Sequence, residues 1–159
     1  MSGRSPLKQP YEAALAKAQD GDARLSEVAS LLTNAHQSGD VRATYALATW
    51  YLHGRFFKKD MRKSIALLRK AANHNIPDAL FDLAVCYEKG AGVPVNQPKA
   101  IELYLRAALH GEAQSVYEVG RCYYYGIGVQ QNRRIARVWQ DRAKELGVSD
   151  EVPELQRPE

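Results

Sequence analysis

A repeat of 36 residues runs through this chain without a gap. Four of its positions recur in three successive copies. They are an aliphatic residue (Leu47, Leu83, Val119), a tyrosine (Tyr51, Tyr87, Tyr123), a glycine (Gly54, Gly90, Gly126) and an alanine (Ala71, Ala107, Ala143). Self-similarity at a fixed period of this length is typical of stacked repeat architectures. We therefore expect each copy to fold as the same small unit and to stack on its neighbours.

Each unit has the pattern of two short helices joined by a tight turn. In the central copy, Leu83 and Tyr87 lie on one apolar face of a predicted helix near residues 78–89. Gly90 follows as a helix stop, and Asn96 has the character of an N-cap for a second helix. Two helices this short cannot bury their apolar faces alone, so the unit needs neighbours on both sides.

These residues resemble the Sel-one-like repeat, a relative of the tetratricopeptide repeat. The matching elements are A-x-x-x-[LV]-[AG]-x-x-Y-x-x-G-x-G-V and K-A-x-x-x-Y-x-x-A-A-x-x-G, best kept in residues 79–111 and 115–147 and also clear in residues 43–75. The resemblance implies an all-α fold, a right-handed α-solenoid of about three and a half helix-turn-helix repeats. It also implies an adaptor or regulatory role through protein binding, without a conserved catalytic residue.

The period divides the chain into one solenoid with two distinct ends. An echo of the pattern, without the tyrosine and paired glycines, precedes the first clear copy and has the character of a capping repeat. We predict a flexible N-terminus at 1–9, a single solenoid at 10–147 made of a degenerate repeat 10–39 and repeats 40–76, 77–111 and 112–147, and an acidic tail at 148–159.

Nothing in the sequence indicates an enzyme, a metal site or a cofactor. His53, His74 and His110 are scattered without ligand spacing, and the glycine pair lacks the strand and lysine of a phosphate-binding loop. No segment has the length of a membrane span or the apolar core of a signal peptide, so we expect a cytoplasmic protein.

The two cysteines are one period apart. Equivalent positions on stacked helices are about 8–10 Å apart, beyond the reach of a disulfide. We therefore expect Cys86 and Cys122 to be free thiols that pack at the edge of a helix face, in a reducing compartment.

The remaining candidate site is the face of each first helix that points away from the core. In the solenoid of this family that face lines the concave groove, where we predict a partner protein binds as an extended segment or a helix. The predicted contacts are His53, Lys89, Arg121 and Tyr125, together with Thr49, Tyr45, Phe81 and Tyr117. Packing between repeats also explains the three aromatic residues at 45, 81 and 117, and that alternative stays open here.

Charge is uneven along the chain and favours an acidic partner. Residues 40–76 carry eight basic and two acidic side chains, whereas residues 148–159 carry one basic and four acidic side chains. A basic loop in the first clear repeat contains Phe56 where the other copies have glycine, so we expect its turn to differ or be strained. The loop is either a solvated turn or a secondary binding site, formed by Arg55, Phe56, Lys58 and Lys59.

Three other functions remain as alternatives. One is an immunity, antitoxin or defence-system protein that binds an effector protein. Another is a nucleic-acid accessory protein that uses the basic loop with Arg62 and Lys63, although no basic stripe crosses all the repeats. A cell-wall hydrolase is the weakest alternative, because the sequence shows neither a signal peptide nor a catalytic site.

Overall fold

The structure, a computed structural model, describes Ala14 and residues 25–148. The predicted flexible N-terminus and nearly all of the acidic tail lie outside these residues. The described part is all-α and contains seven helices of 13 residues each: α1 (Leu25–Gln37), α2 (Val41–His53), α3 (Met61–Asn73), α4 (Pro77–Lys89), α5 (Gln97–Leu109), α6 (Ala113–Tyr125) and α7 (Arg133–Glu145).

The helices follow the sequence period. The first helices of the three clear repeats, which we call the A helices, are α2, α4 and α6, and each begins 36 residues after the one before it. The second helices, α3, α5 and α7, keep the same interval, and α1 begins one period before α3. Each helix packs against the next helix in the chain. The prediction of an all-α fold built from 36-residue repeats is confirmed.

One polar side chain begins the second helix in each clear repeat. Asp60 and Asn96 accept hydrogen bonds at 3.0 Å from the backbone N–H groups of Lys63 and Lys99, and Asn132 accepts from the first turn of α7 in the same way. These contacts satisfy backbone donors that a helix start leaves without partners. The N-cap predicted from the sequence at Asn96 is therefore present, and Asp60 and Asn132 hold the same position in the other two clear repeats.

Glycine in the left-handed region ends every A helix. Gly54, Gly90 and Gly126 have φ angles of 65°, 71° and 73°, and the N–H of each bonds back to the preceding turn. Such a cap carries no steric penalty for glycine. The chain can therefore reverse direction between the two helices of a repeat.

Alanine and leucine fill the contacts between helices. The main core is centred on the second clear repeat, where Leu80, Leu103 and Tyr104 are buried, and a smaller core joins Ala14, α1 and α2. Trp139 is half-buried against the main core.

The first clear repeat holds a non-glycine residue in the left-handed region. Phe56 has a φ angle of 56°, whereas the equivalent Gly92 and Gly128 have 74° and 70°. This conformation costs an L-residue about 1–2 kcal/mol. The prediction of a strained turn at Phe56 is confirmed, and Phe57 beside it is half-buried as the substitute for a core valine.

No helix within residues 25–148 is both long enough and apolar enough to cross a membrane.

The third repeat's turn should tolerate no side chain at Gly128. A Cβ atom there would overlap the backbone carbonyl of Gln97 at the start of α5, and φ is 70°. We expect Gly128→Ala to lower the free energy of unfolding in urea by more than about 2 kcal/mol, since strain adds to overlap. Gly147→Ala is the matched control, because φ is 72° with open space, so about 1–2 kcal/mol is expected. Equal losses in the two variants would contradict the packing of this turn on α5.

Candidate partner-binding face

The outer sides of the A helices form one face, and hydrogen bonds tie these helices to each other. Across the first junction, the hydroxyl of Tyr45 on α2 donates to Oδ2 of Asp82 on α4 at 3.0 Å. Both side chains are half-buried. The A-helix face is thus a continuous surface and not a set of separate helices.

Across the second junction, an ion pair takes the place of the tyrosine–aspartate hydrogen bond. Arg121 on α6 donates two hydrogen bonds to Glu88 on α4, at 2.7 and 2.8 Å, and its Nε donates to Glu118 at 2.7 Å. Tyr104 on α5 also donates to Glu88 at 2.9 Å. Hydrogen bonds between an ionised donor and an ionised acceptor are among the strongest in proteins. The predicted contact Arg121 is therefore already bound by two carboxylates of its own chain.

The surroundings keep Arg121 charged. Burial alone would lower its pKa, but the hydrogen bonds and charges of Glu88 and Glu118 together raise that pKa above its ordinary value. The exposed fractions of the Arg121 and Glu88 side chains are only 24% and 17%. The Arg121 charge is thus compensated within the solenoid, and little of it is exposed to solvent.

Acidic side chains gather around the first junction. Burial raises the pKa of Asp82, the hydrogen bond from Tyr45 and the charge of His53 lower it, and Asp78 and Glu112 raise it further. The net effect is a raised pKa. Burial and the nearby Asp82 likewise raise the pKa of the Tyr45 hydroxyl. Tyr45 is thus a neutral donor at physiological pH.

The aromatic residues predicted at the start of the A helices belong mostly to the packing. Phe81 is half-buried, with its ring centroid 5.7 Å from that of Tyr104, and Tyr117 is also half-buried. Thr49 is half-buried and donates to the carbonyl of Ala46 at 2.8 Å within its own helix. These contacts favour the packing alternative, and a role in partner binding stays a prediction.

The last residue of each A helix is exposed. His53, Lys89 and Tyr125 end α2, α4 and α6, lie one period apart, and expose their side chains, Tyr125 to 60%. We call these three residues the exposed row. The structure thus separates the eight predicted contacts into five half-buried residues and three that are available to a partner.

The Tyr125 ring packs against a neighbouring aromatic ring. Its ring meets Tyr124 edge to face, with centroids 4.9 Å apart, and the guanidinium of Arg133 lies 5.2 Å from the Tyr124 ring centre. An aromatic side chain held on a second ring loses little conformational freedom when it binds. Tyr125 is therefore the strongest anchor of the row.

The basic loop is also exposed. Arg55, Lys58 and Lys59 face solvent, and Phe56 is 50% exposed. The predicted loop residues therefore lie at the surface, immediately after the first residue of the exposed row.

Sequence reasoning missed Glu88 and the pairing of Asp82. Glu88 is 33 residues from Arg121, on another repeat, and the sequence contains no spacing rule that joins them. The only available signal was chemical, since a half-buried arginine requires acceptors.

Neither Cys86 nor Cys122 forms a disulfide, and both are buried.

Burial raises the pKa of both thiols, that of Cys122 to about 12. A thiol of that kind is not a nucleophile at neutral pH. Within the described residues, no group of three or more His, Cys, Asp or Glu side chains could hold a metal ion.

Together, stacked pairs of equal helices and a variable outer face define a helical repeat protein. The sequence model described as the Sel1 repeat matches residues 41–76, 77–112 and 113–148. The chain belongs to the Sel1 repeat family, whose scaffold is typically non-catalytic and generally mediates protein binding.

Solved structures show the same fold. A Sel1 repeat protein from Oxalobacter formigenes is 34% identical over 73% of this chain and 87% of its own, with a TM-score of 0.68. A protective antigen present in uropathogenic Escherichia coli strains, displaying an SLR fold, is 25% identical over 91% of this chain and 34% of its own, with a TM-score of 0.76. An immunity protein from Pseudomonas aeruginosa is 20% identical over 92% of this chain and 56% of its own, with a TM-score of 0.63, which shows the fold alone. No curated protein matches the sequence significantly.

Loss of Arg121 should destabilise the junction between the second and third repeats. Arg121→Gln leaves Glu88 and Glu118 half-buried without their cation, and we expect it to lower the free energy of unfolding by about 1–3 kcal/mol. The control is Arg142→Gln, whose pair with Glu145 has the same 2.7 Å distance but side chains 59% and 65% exposed. There we expect a loss of about 0–1 kcal/mol in urea denaturation. Equal effects would mean that the Arg121 network contributes nothing beyond a surface pair.

Asp82 should make the fold less stable as pH rises. Because its pKa is higher in the folded than in the unfolded chain, its contribution is full below about pH 4, near the unfolded pKa, and is lost as pH rises through the folded value. Asp82→Asn can still accept the Tyr45 hydrogen bond without ionising. We therefore expect a higher Tm than wild type at pH 7 and a difference that vanishes towards pH 4. Asp141→Asn, at an exposed position, is the control and should leave the Tm unchanged at both pH 7 and pH 4. A Tm for Asp82→Asn below that of wild type at pH 7 would refute the argument.

Proposed function

We propose that this chain is a non-enzymatic protein-binding module, an adaptor or regulatory subunit, which holds its partner against the A-helix face. The observation that carries the proposal is the exposed row of His53, Lys89 and Tyr125. These side chains occupy the same position in three repeats, differ in chemistry and remain at the surface. A repeat scaffold that keeps its backbone constant and varies such positions can set the specificity of a contact.

The row also suits a particular kind of partner. Neighbouring A helices lie roughly 8–10 Å apart, so the row extends over about two such steps and fits an extended segment or one side of a helix. Tyrosine is enriched among residues that dominate binding energy. With Lys89 one period and His53 two periods away in the row, Tyr125 favours a segment that carries an apolar side chain and a carboxylate.

The test is the loss of binding in a variant that leaves the fold intact. Tyr125→Ala combined with Lys89→Glu changes only the exposed row, whereas a change at Arg121 would also break an internal ion pair. Partners are captured from nuclease-treated native lysate with the wild type and with the double variant. The interaction is then measured with the purified partner by calorimetry.

We expect the double variant to bind the partner at least tenfold more weakly, with an unchanged circular dichroism melt. The control is Val138→Ala with Lys144→Glu, both exposed on α7 and outside the row, and it should bind like wild type. Equal affinity of wild type and double variant would remove the A-helix face from the binding site. Loss of all recovery after nuclease treatment would instead favour the nucleic-acid alternative.

A narrower version of the same function is that the partner is a toxic effector. Two immunity proteins from Pseudomonas aeruginosa share the fold over 92% and 93% of this chain, at identities of 20% and 23%. That likeness supports a scaffold able to cover an effector and leaves its identity open. Co-expression with effectors encoded beside the gene would test it, and failure of every such effector to bind would reject this version alone.

A further inference from the structure

We propose that the loop at residues 54–60 with the first turn of α3 up to Lys63, which together we call the aromatic–cationic loop, docks an acidic protein segment that carries one apolar side chain. This second surface lies in the first clear repeat, beyond the exposed row. The inference does not rest on the proposed function, because it uses a different part of the chain and a different set of contacts.

Phe56 is the first reason. Its φ angle is 56° and its side chain is 50% exposed, at a position that Gly92 and Gly128 occupy in the other repeats. The loop still closes as those loops do, since the N–H of Asp60 donates to the carbonyl of Tyr51 at 3.0 Å, the bond equivalent to those in the later repeats. A glycine at this position is therefore enough to close the loop, and the Phe56 ring is not required for the fold.

The exposed ring is held in place from below. The Phe56 centroid lies 4.9 Å from that of Phe57, with the rings nearly perpendicular, and 6.2 Å from that of buried Trp50. Phe57 in turn stacks on Tyr51 at 4.8 Å. Of these four aromatic side chains, Phe56 alone is classed as exposed, so the cluster offers one preorganised apolar contact.

Cations surround this contact. Arg55 lies over the Trp50 ring at 5.7 Å and Lys63 over the Tyr51 ring at 5.3 Å, while Lys58 and Lys59 are exposed. Cations placed over aromatic rings are held near those rings. Arg55 and Lys63 are thereby held over two rings of the cluster that carries Phe56.

Almost no negative charge balances these cations along the chain. Asp60 is the single acidic residue between positions 41 and 77. Its carboxylate caps α3 by accepting from the Lys63 N–H and lies 3.9 Å from the Lys63 ammonium, so it pairs with one of the four cations. The field at the loop therefore selects an acidic occupant.

The same geometry favours a protein segment over a nucleic acid. Single-stranded nucleic acids are bound by several accessible rings on which successive bases stack, along a charged track. Here one ring is exposed, and the cations are confined to a single loop. A peptide with one apolar anchor between carboxylates matches that arrangement.

The probe is a displayed library of random twelve-residue peptides, selected in parallel on the full-length wild type and on Phe56→Gly. That variant restores the residue type of the other repeats, so its Tm should be equal to or higher than that of wild type. We expect peptides selected on wild type alone to combine Asp or Glu with one apolar side chain. Their affinity should fall at least tenfold in Phe56→Gly and in Lys58→Glu with Lys59→Glu.

Two controls separate this surface from the others. Arg137→Glu with Lys144→Glu makes the same charge change on exposed positions of α7 and should leave the affinity unchanged. Peptides of the exposed row would instead lose binding in Tyr125→Ala and keep it in Phe56→Gly, so each proposal can fail alone. Selected peptides without acidic residues, or peptides indifferent to Phe56, would overturn the inference. Tighter binding of a random thirty-nucleotide single strand than of the best peptide would overturn it in favour of nucleic acid.

Discussion

The structure depends on the burial of small apolar residues between helices that cannot fold alone. Each helix has 13 residues, about the length at which isolated helices are only marginally stable in water. Ala79, Ala107 and Ala143 are fully buried at helix contacts, where a larger side chain would separate the axes. Stability thus comes from one inward side of each helix and from its neighbours, which leaves the outward side of the A helices free to vary.

That freedom is used in two different ways along the A-helix face. At its middle, Arg121, Glu88 and Glu118 satisfy each other, and Tyr45 with Asp82 does the same across the preceding junction. These groups join the repeats and are therefore not free to contact a partner. At the ends of the A helices, beside the glycine caps, the side chains of the exposed row do not join the repeats. The surface there is accessible to a partner.

A shared scaffold explains why fold and function separate in this protein. Similar solved structures include a protective antigen with an SLR fold and an immunity protein that shares the fold. In a solenoid the repeated backbone is fixed by the core, so differences in binding come from the few exposed positions of each repeat. The exposed row and the loop around Phe56 are where this chain departs most visibly from its own repeat.

The sequence alone determined the period, the all-α fold, the N-cap at Asn96 and the strained turn at Phe56. All of these follow from local rules or from comparing one repeat with the next, because caps, turns and helix faces depend on nearby residues. The tertiary structure alone decided that Arg121 is bound within its own chain and that Trp139 is only half-buried. Such outcomes depend on how side chains of different repeats meet, and that geometry exists only once the helices have stacked.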